Sequence, residues 1–445
     1  MTRPAALRLK VLDLLSRLDR RRFVNGACLA LAAWITILPY FTWSHRRAWL
    51  AASALLSLAV GMQPRVLGRS AALPLRDQWA LAALCAFLIY ATALPQVGGG
   101  YVAWIYILPF AATMILLDAD DRRRVVRAFE VVVCASLLPG LLWLALLIAG
   151  VPLTVDLGLP PNATFAAQGV RLLRLPGAVF IESNSAFLPW GGLLSRLCGM
   201  FDEPGRVGTI AALLLATGGF DFRRVAPRVL YVAGLCSFSL AFIVLCGLGL
   251  IANIFLRRRL RQIWLLLALA PVALLALGVV RLPRAMAEPA NAISIRGESR
   301  PVRPIALRQT QTVNNRALPE MQRLYDRYRM SPWPVLLIGL GSDSSLVYGR
   351  GVTVSLKSWL TNYGALGAAL LAAIFLGYGV ASLAAAHWAL TPVLFLGLFL
   401  LSAYQQPVIW LPYELVVFFG GLAHPATAEP PEGQQDPEGD DSLAG

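Results

Sequence analysis

Cations, glycines and carboxylates are concentrated in the segment from Arg196 to Gly208, and this composition suits the binding of an anion. The segment reads Arg196-Leu-Cys-Gly-Met-Phe-Asp-Glu-Pro-Gly-Arg-Val-Gly208. Its Pro-Gly pair predicts a tight turn that opens a helix, where free N–H groups favour negative charge. Arg196 and Arg206 add forked donors that match phosphate, and the carboxylates of Asp202 and Glu203 lie at the same turn. The alternative is an ordinary helix start with interfacial charges, and the spacing leaves both interpretations open.

A second candidate region is the polar interval 281–354, which holds eleven Arg residues, no Lys and five acidic residues. If its stretch Arg323–Arg329 is helical, Arg323 and Arg327 share one face at a spacing of four. Asp326 would then lie between them as a salt-bridge partner or a base. We interpret the interval as the part of the protein that handles anions. The alternative is an amphipathic helix that lies over lipid headgroups.

Other polar residues carry weaker signals. Glu414 lies in the last apolar run, where a carboxylate is costly and is often functional, although a structural or near-interface role is also open. Asp118-Ala-Asp120 has the spacing of a sugar-nucleotide metal motif, but it lies in a short, strongly basic loop and is interpreted as a topology signal. No metal site is predicted, because the three His residues are too far apart for a zinc motif.

Composition determines which elements must position these residues. The chain has 445 residues, of which 58% are hydrophobic, and its mean hydropathy is +0.64. Repeated apolar runs of roughly 20 residues indicate a helical membrane protein with many spans and exclude a soluble multidomain protein. The net charge is +15, with 37 Arg against 2 Lys. Because the Arg residues are scattered over loops beside the membrane, the charge does not indicate nucleic-acid binding.

The resulting prediction is an all-α integral membrane protein with about twelve transmembrane helices and two large periplasmic loops, one of which contains amphipathic helices. The run 229–255 is interpreted as a hairpin that folds back at Cys236–Ser239, with one tilted span as the alternative. The predicted segments are a cytoplasmic amphipathic N-terminus (1–22), spans one to five (23–149), a periplasmic loop with a re-entrant or interfacial segment (150–206), spans six to nine (207–280), the large Arg-rich periplasmic loop (281–354), spans ten to twelve (355–424) and a disordered acidic cytoplasmic tail (425–445).

The motif R-x-x-G-x-F-x-E-P-G-x-x-G, followed by a late external loop with R-x-Y, G-x-G and then G-x-x-G, resembles the bacterial O-antigen polymerase and O-antigen ligase superfamily. The first motif is matched by Arg196, Gly199, Phe201, Glu203, Pro204, Gly205 and Gly208. The second, less specific motif is matched by Arg323, Tyr325, Gly339, Gly341, Gly364 and Gly367. The resemblance covers about two fifths of the chain.

The resemblance implies a metal-independent glycosyltransferase of the bacterial inner membrane that uses undecaprenyl-diphosphate-linked oligosaccharide, needs no cofactor and works beside a chain-length regulator. Ligases of the superfamily carry a His before the G-x-x-G span, and this chain has none there, which favours a polymerase. A ligase or a lipid or polysaccharide transporter is the alternative. The expected site residues are Arg196, Arg206, Arg323 and Arg327 on the diphosphate, Glu203 and then Asp326 as general base, and Tyr325, Tyr328 and Trp333 on the sugars.

Overall fold

A computed structural model describes residues 20–69, 73–94, 103–151, 157, 172–181, 185–188, 192–276, 319–341, 344, 357–405 and 409–423. The expected N-terminal surface helix, most of the arginine-rich interval and the acidic tail lie outside these residues. The described part is mostly helical. Its helices are α1 (Arg20–Ile35), α2 (Arg46–Gly61), α3 (Pro64–Leu67), α4 (Leu75–Ala93), α5 (Ala103–Leu116), α6 (Ala119–Ile148), α7 (Pro204–Thr217), α8 (Val225–Cys236), α9 (Leu240–Arg257), α10 (Ile263–Ala276), α11 (Pro319–Arg329), α12 (Trp333–Ile338), α13 (Lys357–Ala372), α14 (Tyr378–Ala385), α15 (Leu390–Gln405) and α16 (Pro412–Gly421).

Long apolar helices indicate a multi-pass membrane protein. Three are long and apolar enough to cross a membrane, namely α6, α9 and the continuous stretch Lys357–Ala385 that joins α13 to α14 through a π-helical turn. A fourth span results if α1 and the segment Tyr40–Gly61 are counted together, although the chain bends by 80° between them. The expected number of twelve spans stays a prediction.

The expectation of an all-α fold is wrong for one stretch, since four short strands between 172 and 195 form two antiparallel pairs. Strand β1 (Leu172–Leu175) pairs with β2 (Ala178–Ile181), and β3 (Ser185–Phe187) pairs with β4 (Leu193–Ser195). Short apolar runs fit a strand or a helix equally well by periodicity. The Pro176-Gly177 turn favours strands over a helix here, because it reverses the chain after four residues. The buried strand β2 can then pack on α6.

One end of the helix bundle is fixed by a buried arginine. We call it the basic end; it comprises the first turn of α6 with Arg122 and the start of α8 with Arg224 and Arg228. Arg122 in the first turn of α6 is 2% exposed. Its Nη2 lies 2.9 Å from Asp77 Oδ2 on α4, and its Nε donates to the Met114 carbonyl of α5 at 2.8 Å. Its Nη1 donates to the Tyr378 hydroxyl at the start of α14. A single side chain therefore ties four helices together.

Helix α7 lies at the centre of the fold, buried along most of its length, and packs against α8, α9, α15 and α16. The break expected at Cys236–Ser239 is present, because α8 ends at Cys236 and α9 begins at Leu240. Both outer ends of the pair lie beside the C-terminal end of α7. The carbonyl of Gly219 accepts from Arg257 at 3.4 Å, and a Cβ at Gly218 would lie 3.4 Å from Arg224. The run folds back on itself, as the hairpin interpretation predicts.

Candidate functional site

The N-terminus of α7 holds the half-buried guanidinium of Arg206, whose side chain is 19% exposed. Glu203 is the N-cap residue, its side chain makes no capping hydrogen bond, and Pro204 is the first helical residue. Arg206 Nη1 lies 2.8 Å from Asp202 Oδ1 and donates to the Ile37 carbonyl at 2.9 Å. That carbonyl is free because α1 has already ended. Arg206 Nε is buried and has no hydrogen-bond partner.

Arg196 is held beside the same turn by backbone groups of the α8–α9 hairpin. Its Nε donates to the Ser237 carbonyl at 3.0 Å, and the neighbouring Leu197 N–H donates to the Cys236 carbonyl at 2.9 Å. Burial lowers the pKa of the Arg196 guanidinium, while Glu203 acts in the opposite direction. The two arginines of the first motif are therefore brought to one region, as the sequence predicts.

The two carboxylates at the turn have different surroundings. Asp202 is buried, and this burial raises its pKa, while Arg206 and, less strongly, Arg46 at the start of α2 oppose the rise. Glu203 is exposed, so an external hydroxyl can approach it. Asp202 therefore serves as a fixed partner of Arg206, and Glu203 is better placed to exchange a proton.

Helix α16 completes the site from the other end of the sequence. Tyr413 and Glu414, in its first turn, both interact electrostatically with Arg206, and Pro412 is its first helical residue. Glu414 is 1% exposed, and its Oε2 has no hydrogen-bond partner. Helices α7 and α16, each of which has a proline as its first residue, thus begin beside the Arg206 guanidinium.

The lengths of α7 and α16 set how far the site lies from the basic end. Helix α7 has 14 residues and α16 has 10, which correspond to roughly 21 and 15 Å at about 1.5 Å per residue. Both are shorter than a hydrocarbon core of about 30 Å. The C-terminal ends of both lie near the basic end, where Arg224 pairs with Glu130 and Gly420 packs on Val126. Both N-termini therefore lie partway along the bundle.

The second candidate region forms the predicted helix. In α11, Arg323, Asp326 and Arg327 are exposed, whereas Leu324 and Tyr328 are buried. Asp326 Oδ1 accepts from Gln322 at 2.8 Å, and Gln322 Oε1 accepts from Lys357 Nζ at 2.6 Å.

The aromatic residues of this region are placed differently from one another. Tyr325 stacks on Tyr328 and has Lys357 Nζ 5.1 Å from its ring centre. The Tyr328 hydroxyl donates to the Leu336 carbonyl at 2.6 Å. Trp333 is 73% exposed. Of the three predicted sugar-stacking residues, Trp333 offers the most free surface.

The glycines of the second motif form a close backbone crossing. Gly339, at the end of α12, has φ 85°, and a Cβ there would lie 2.6 Å from the Asn362 carbonyl oxygen. Gly364 interrupts the helical geometry of α13 with φ 62° and ψ −170°. The Tyr90 hydroxyl lies 2.9 Å from the Ile338 carbonyl and 2.6 Å from the Tyr363 carbonyl. The crossing fixes the α11–α12 pair to the broken helix α13.

The structure therefore gathers the predicted residues into two groups. Arg196, Arg206, Asp202 and Glu203 lie at the start of α7, while Arg323, Asp326 and Arg327 lie on α11, which packs against α12 and α13. The sequence did not predict that Arg46 lies near Asp202 or that Tyr413 lies near Arg206. It also left the partner of Glu414 open. The prolines that begin α7 and α16 were the available signal.

No group of three or more His, Cys, Asp or Glu residues that could hold a metal ion occurs in the described ranges. No family model, curated protein or solved structure matches the chain.

Proposed function

We propose that the protein is an inner-membrane glycosyltransferase that polymerises undecaprenyl-diphosphate-linked oligosaccharide repeat units into O-antigen or a similar surface polysaccharide. In this proposal the chain crosses the membrane about twelve times, its basic end faces the cytoplasm, and the site at the start of α7 faces the periplasm. Membrane lipid surrounds the helices, and a chain-length regulator is a partner.

The observation that carries the proposal is the half-buried Arg206, with a buried and unbonded Nε, at the meeting point of two helix N-termini. A lipid diphosphate brings a charged group to the membrane while its polyprenyl chain stays in hydrocarbon. A cation recessed below the membrane surface suits such a ligand better than one in open water. Helix N-termini add partial positive charge, and Arg196 supplies a second guanidinium to the same region.

The chemistry assigned to this site is a displacement at the anomeric carbon of the growing chain. The acceptor hydroxyl oxygen forms the new glycosidic bond as the bond to the lipid diphosphate breaks. The diphosphate leaves with the electron pair, and Arg206 and Arg196 stabilise the charge that develops on it. The hydroxyl proton passes to a general base, for which Glu203 is the first candidate because it is exposed beside Arg196. Asp326 on α11 is the second candidate.

Helix α11 is assigned a supporting role in glycan and lipid binding. Its exposed Arg323 and Arg327 can contact a second lipid diphosphate at the membrane surface. Trp333 can stack on a sugar ring of the repeat unit, whereas Tyr325 and Tyr328 support its position from the packed face of α11. The glycine crossing then holds this surface against α13.

The test uses purified protein in detergent with lipid-diphosphate-linked oligosaccharide, no added metal, and products separated on a gel. We expect the wild-type protein to give a ladder of whole repeat units that a chelator does not abolish. Arg206→Gln should lower the rate by about 100-fold or more, the usual effect of removing one preorganised donor. Arg228→Gln is the matched control, because Arg228 lies at the basic end, where its Nε donates to the Phe222 carbonyl at 2.8 Å.

Two results would contradict parts of the proposal separately. If Arg206→Gln elongates as well as Arg228→Gln does, Arg206 does not hold the diphosphate. If wild-type protein leaves competent donor lipid unextended, the protein is not a polymerase. The same preparation would then be given a foreign glycan acceptor to test for a ligase, and next be placed in vesicles to test for a transporter.

A further inference from the structure

The last described residue, Ala423, lies at the basic end of the bundle beside an arginine. Arg123 Nε on α6 donates to the Ala423 carbonyl at 2.7 Å, just after α16 has ended. Gly420 of α16 packs on Val126 of α6. The chain therefore enters its C-terminal segment next to the first two turns of α6.

That C-terminal segment is acidic and contains no Lys or Arg from His424 to Gly445. Its six carboxylates belong to Glu429, Glu432, Asp436, Glu438, Asp440 and Asp441. Glu429 follows Ala423 by six residues, a stretch that spans at most about 21 Å when fully extended. Arg127 lies one helical turn beyond Arg123, about 6 Å along α6. The acidic residues can therefore reach the surface around these two arginines.

The same surface of α6 continues to arginines at the start of α1. On one side of α6, Val126 contacts α16, and on another Asp121 Oδ1 lies 3.8 Å from Arg22 Nε of α1. Because an α-helix turns about 100° per residue, Arg123 and Arg127 lie on the face between these two sides. We call this surface the arginine face; it is formed by Arg20, Arg21, Arg123 and Arg127.

Positive charge exceeds negative charge on the arginine face. The carboxylates beside it already pair with arginines of the same end, in the pairs Asp118–Arg69, Asp121–Arg65 and Asp120–Arg123. Arg20, Arg21 and Arg127 are exposed, and none of them forms an ion pair with a carboxylate in the described part of the chain. An anionic partner would offset the repulsion among these guanidinium groups.

We propose that the acidic segment Glu429–Asp441 binds the arginine face of its own chain. The segment begins beside this face, and so short a connection gives it a local concentration on the order of millimolar. Anionic lipid headgroups would suit the same charges, but α16 is buried along its length between α5, α6, α7 and α15. Its end therefore lies inside the bundle, away from the lipid around the perimeter. This inference does not depend on the proposed function.

The experiment follows cleavage of the acidic segment by a glutamate-specific protease, with the whole purified chain in detergent at low salt. Mass spectrometry measures the rate of cleavage after Glu429, Glu432 and Glu438. A bound segment is protected, so this rate follows the unbound fraction. The triple variant Arg20→Gln/Arg21→Gln/Arg127→Gln should be cleaved at least about threefold faster than wild type, the low end for three exposed ion pairs. Salt near about 1 M should bring wild type to the rate of the variant.

A matched control removes the same charge from another exposed part of the chain. Arg258→Gln/Arg259→Gln/Arg261→Gln changes the turn between α9 and α10 and should be cleaved at the wild-type rate. A second variant changes the other partner and leaves the described fold untouched. Asp436→Asn/Asp440→Asn/Asp441→Asn should be cleaved as fast as the arginine-face variant.

Three results would overturn the inference. The first is an arginine-face variant that is cleaved no faster than the control, and the second is an Asp→Asn variant that is cleaved at the wild-type rate. The third comes from nanodiscs of phosphatidylcholine with and without phosphatidylglycerol. If phosphatidylglycerol speeds cleavage of wild type to the rate of the variant, anionic lipid and not the acidic segment occupies the arginine face.

Discussion

Replacing Gly364 with alanine tests whether the glycine crossing holds α11 and α12 in place. Gly364 has φ 62° and ψ −170°, a combination that is essentially limited to glycine and costs other residues about 1–3 kcal/mol. A Cβ there would fall within 3.0 Å of the Leu337 carbonyl oxygen and the Gly339 nitrogen, and such overpacking costs about 1–3 kcal/mol more. The expected total is about 2–6 kcal/mol.

This cost equals or exceeds what the hydrogen bonds across the crossing supply. The Tyr90 hydroxyl lies within hydrogen-bond distance of the carbonyls of Ile338 and Tyr363 and donates its single proton to one of them at a time, and the Leu340 N–H donates to the Thr361 carbonyl at 2.7 Å. Each such bond contributes about 1 kcal/mol net. Since total stability is about 5–15 kcal/mol, we expect Gly364→Ala to open the crossing locally and leave the rest of the protein folded.

Limited proteolysis of the purified protein measures this opening. We expect cleavage between residues 319 and 341 to become faster in Gly364→Ala, with little change in the elution volume on gel filtration. Gly377→Ala is the matched control, because Gly377 lies in the same helical stretch, its φ is not positive, and a Cβ added there would meet no atom within 4 Å. Equal cleavage rates for the two variants would refute the reasoning.

Two further predictions concern the basic end. Arg122→Met should lower the free energy of unfolding by about 3–5 kcal/mol, because it removes the hydrogen-bonded counter-ion of the buried Asp77 and leaves only Arg76 Nε, 3.7 Å away, and adding Asp77→Asn should recover part of the loss in thermal unfolding. Burial raises the pKa of the Asp118 carboxyl. The Asp121 N–H and the nearby arginines lower that pKa by more, so its net shift is downward. The folded protein therefore binds fewer protons there than the unfolded chain, and the stabilisation is lost as the pH falls below about 4. Asp118→Asn retains a good N-cap, so its Tm should lie below that of wild type near neutral pH and approach it under acid.

Local patterns in the sequence predict the elements that depend on near neighbours. The helix at Arg323–Arg329 forms because its apolar residues Leu324 and Tyr328 recur at the helical spacing. The break between α8 and α9 follows from the serines at 237 and 239 inside an apolar run. The strand pairs β1–β2 and β3–β4 could not be predicted in the same way, since their short apolar runs fit both kinds of element and their burial against α6 decides between them.

Contacts between distant parts of the chain explain what the sequence could not specify. Arg122 belongs to a run of basic residues that is interpreted as a topology signal, yet its partners Asp77 and Tyr378 lie 45 and 256 residues away. Glu414 is recognisable as a costly carboxylate, but its neighbour Arg206 becomes apparent only when α16 packs on α7. Residue type and spacing therefore identify candidate charges, and only the fold determines which of them meet.

The buried Arg122 and the half-buried Arg206 differ in how completely the protein bonds their guanidinium groups. Each nitrogen group of the Arg122 guanidinium donates to an acceptor on a neighbouring element, namely the Met114 and Ile115 carbonyls, the Asp77 carboxylate and the Tyr378 hydroxyl. Arg206 is half-buried and ion-paired, and its Nε lacks a partner, as do Arg22 Nε and Arg76 Nε. A fully bonded buried charge stabilises a single arrangement, whereas a buried donor without a protein acceptor is costly unless water, an ion or a ligand supplies one. Substitution of Arg122 should therefore appear first in unfolding measurements, and substitution of Arg206 first in ligand binding and turnover.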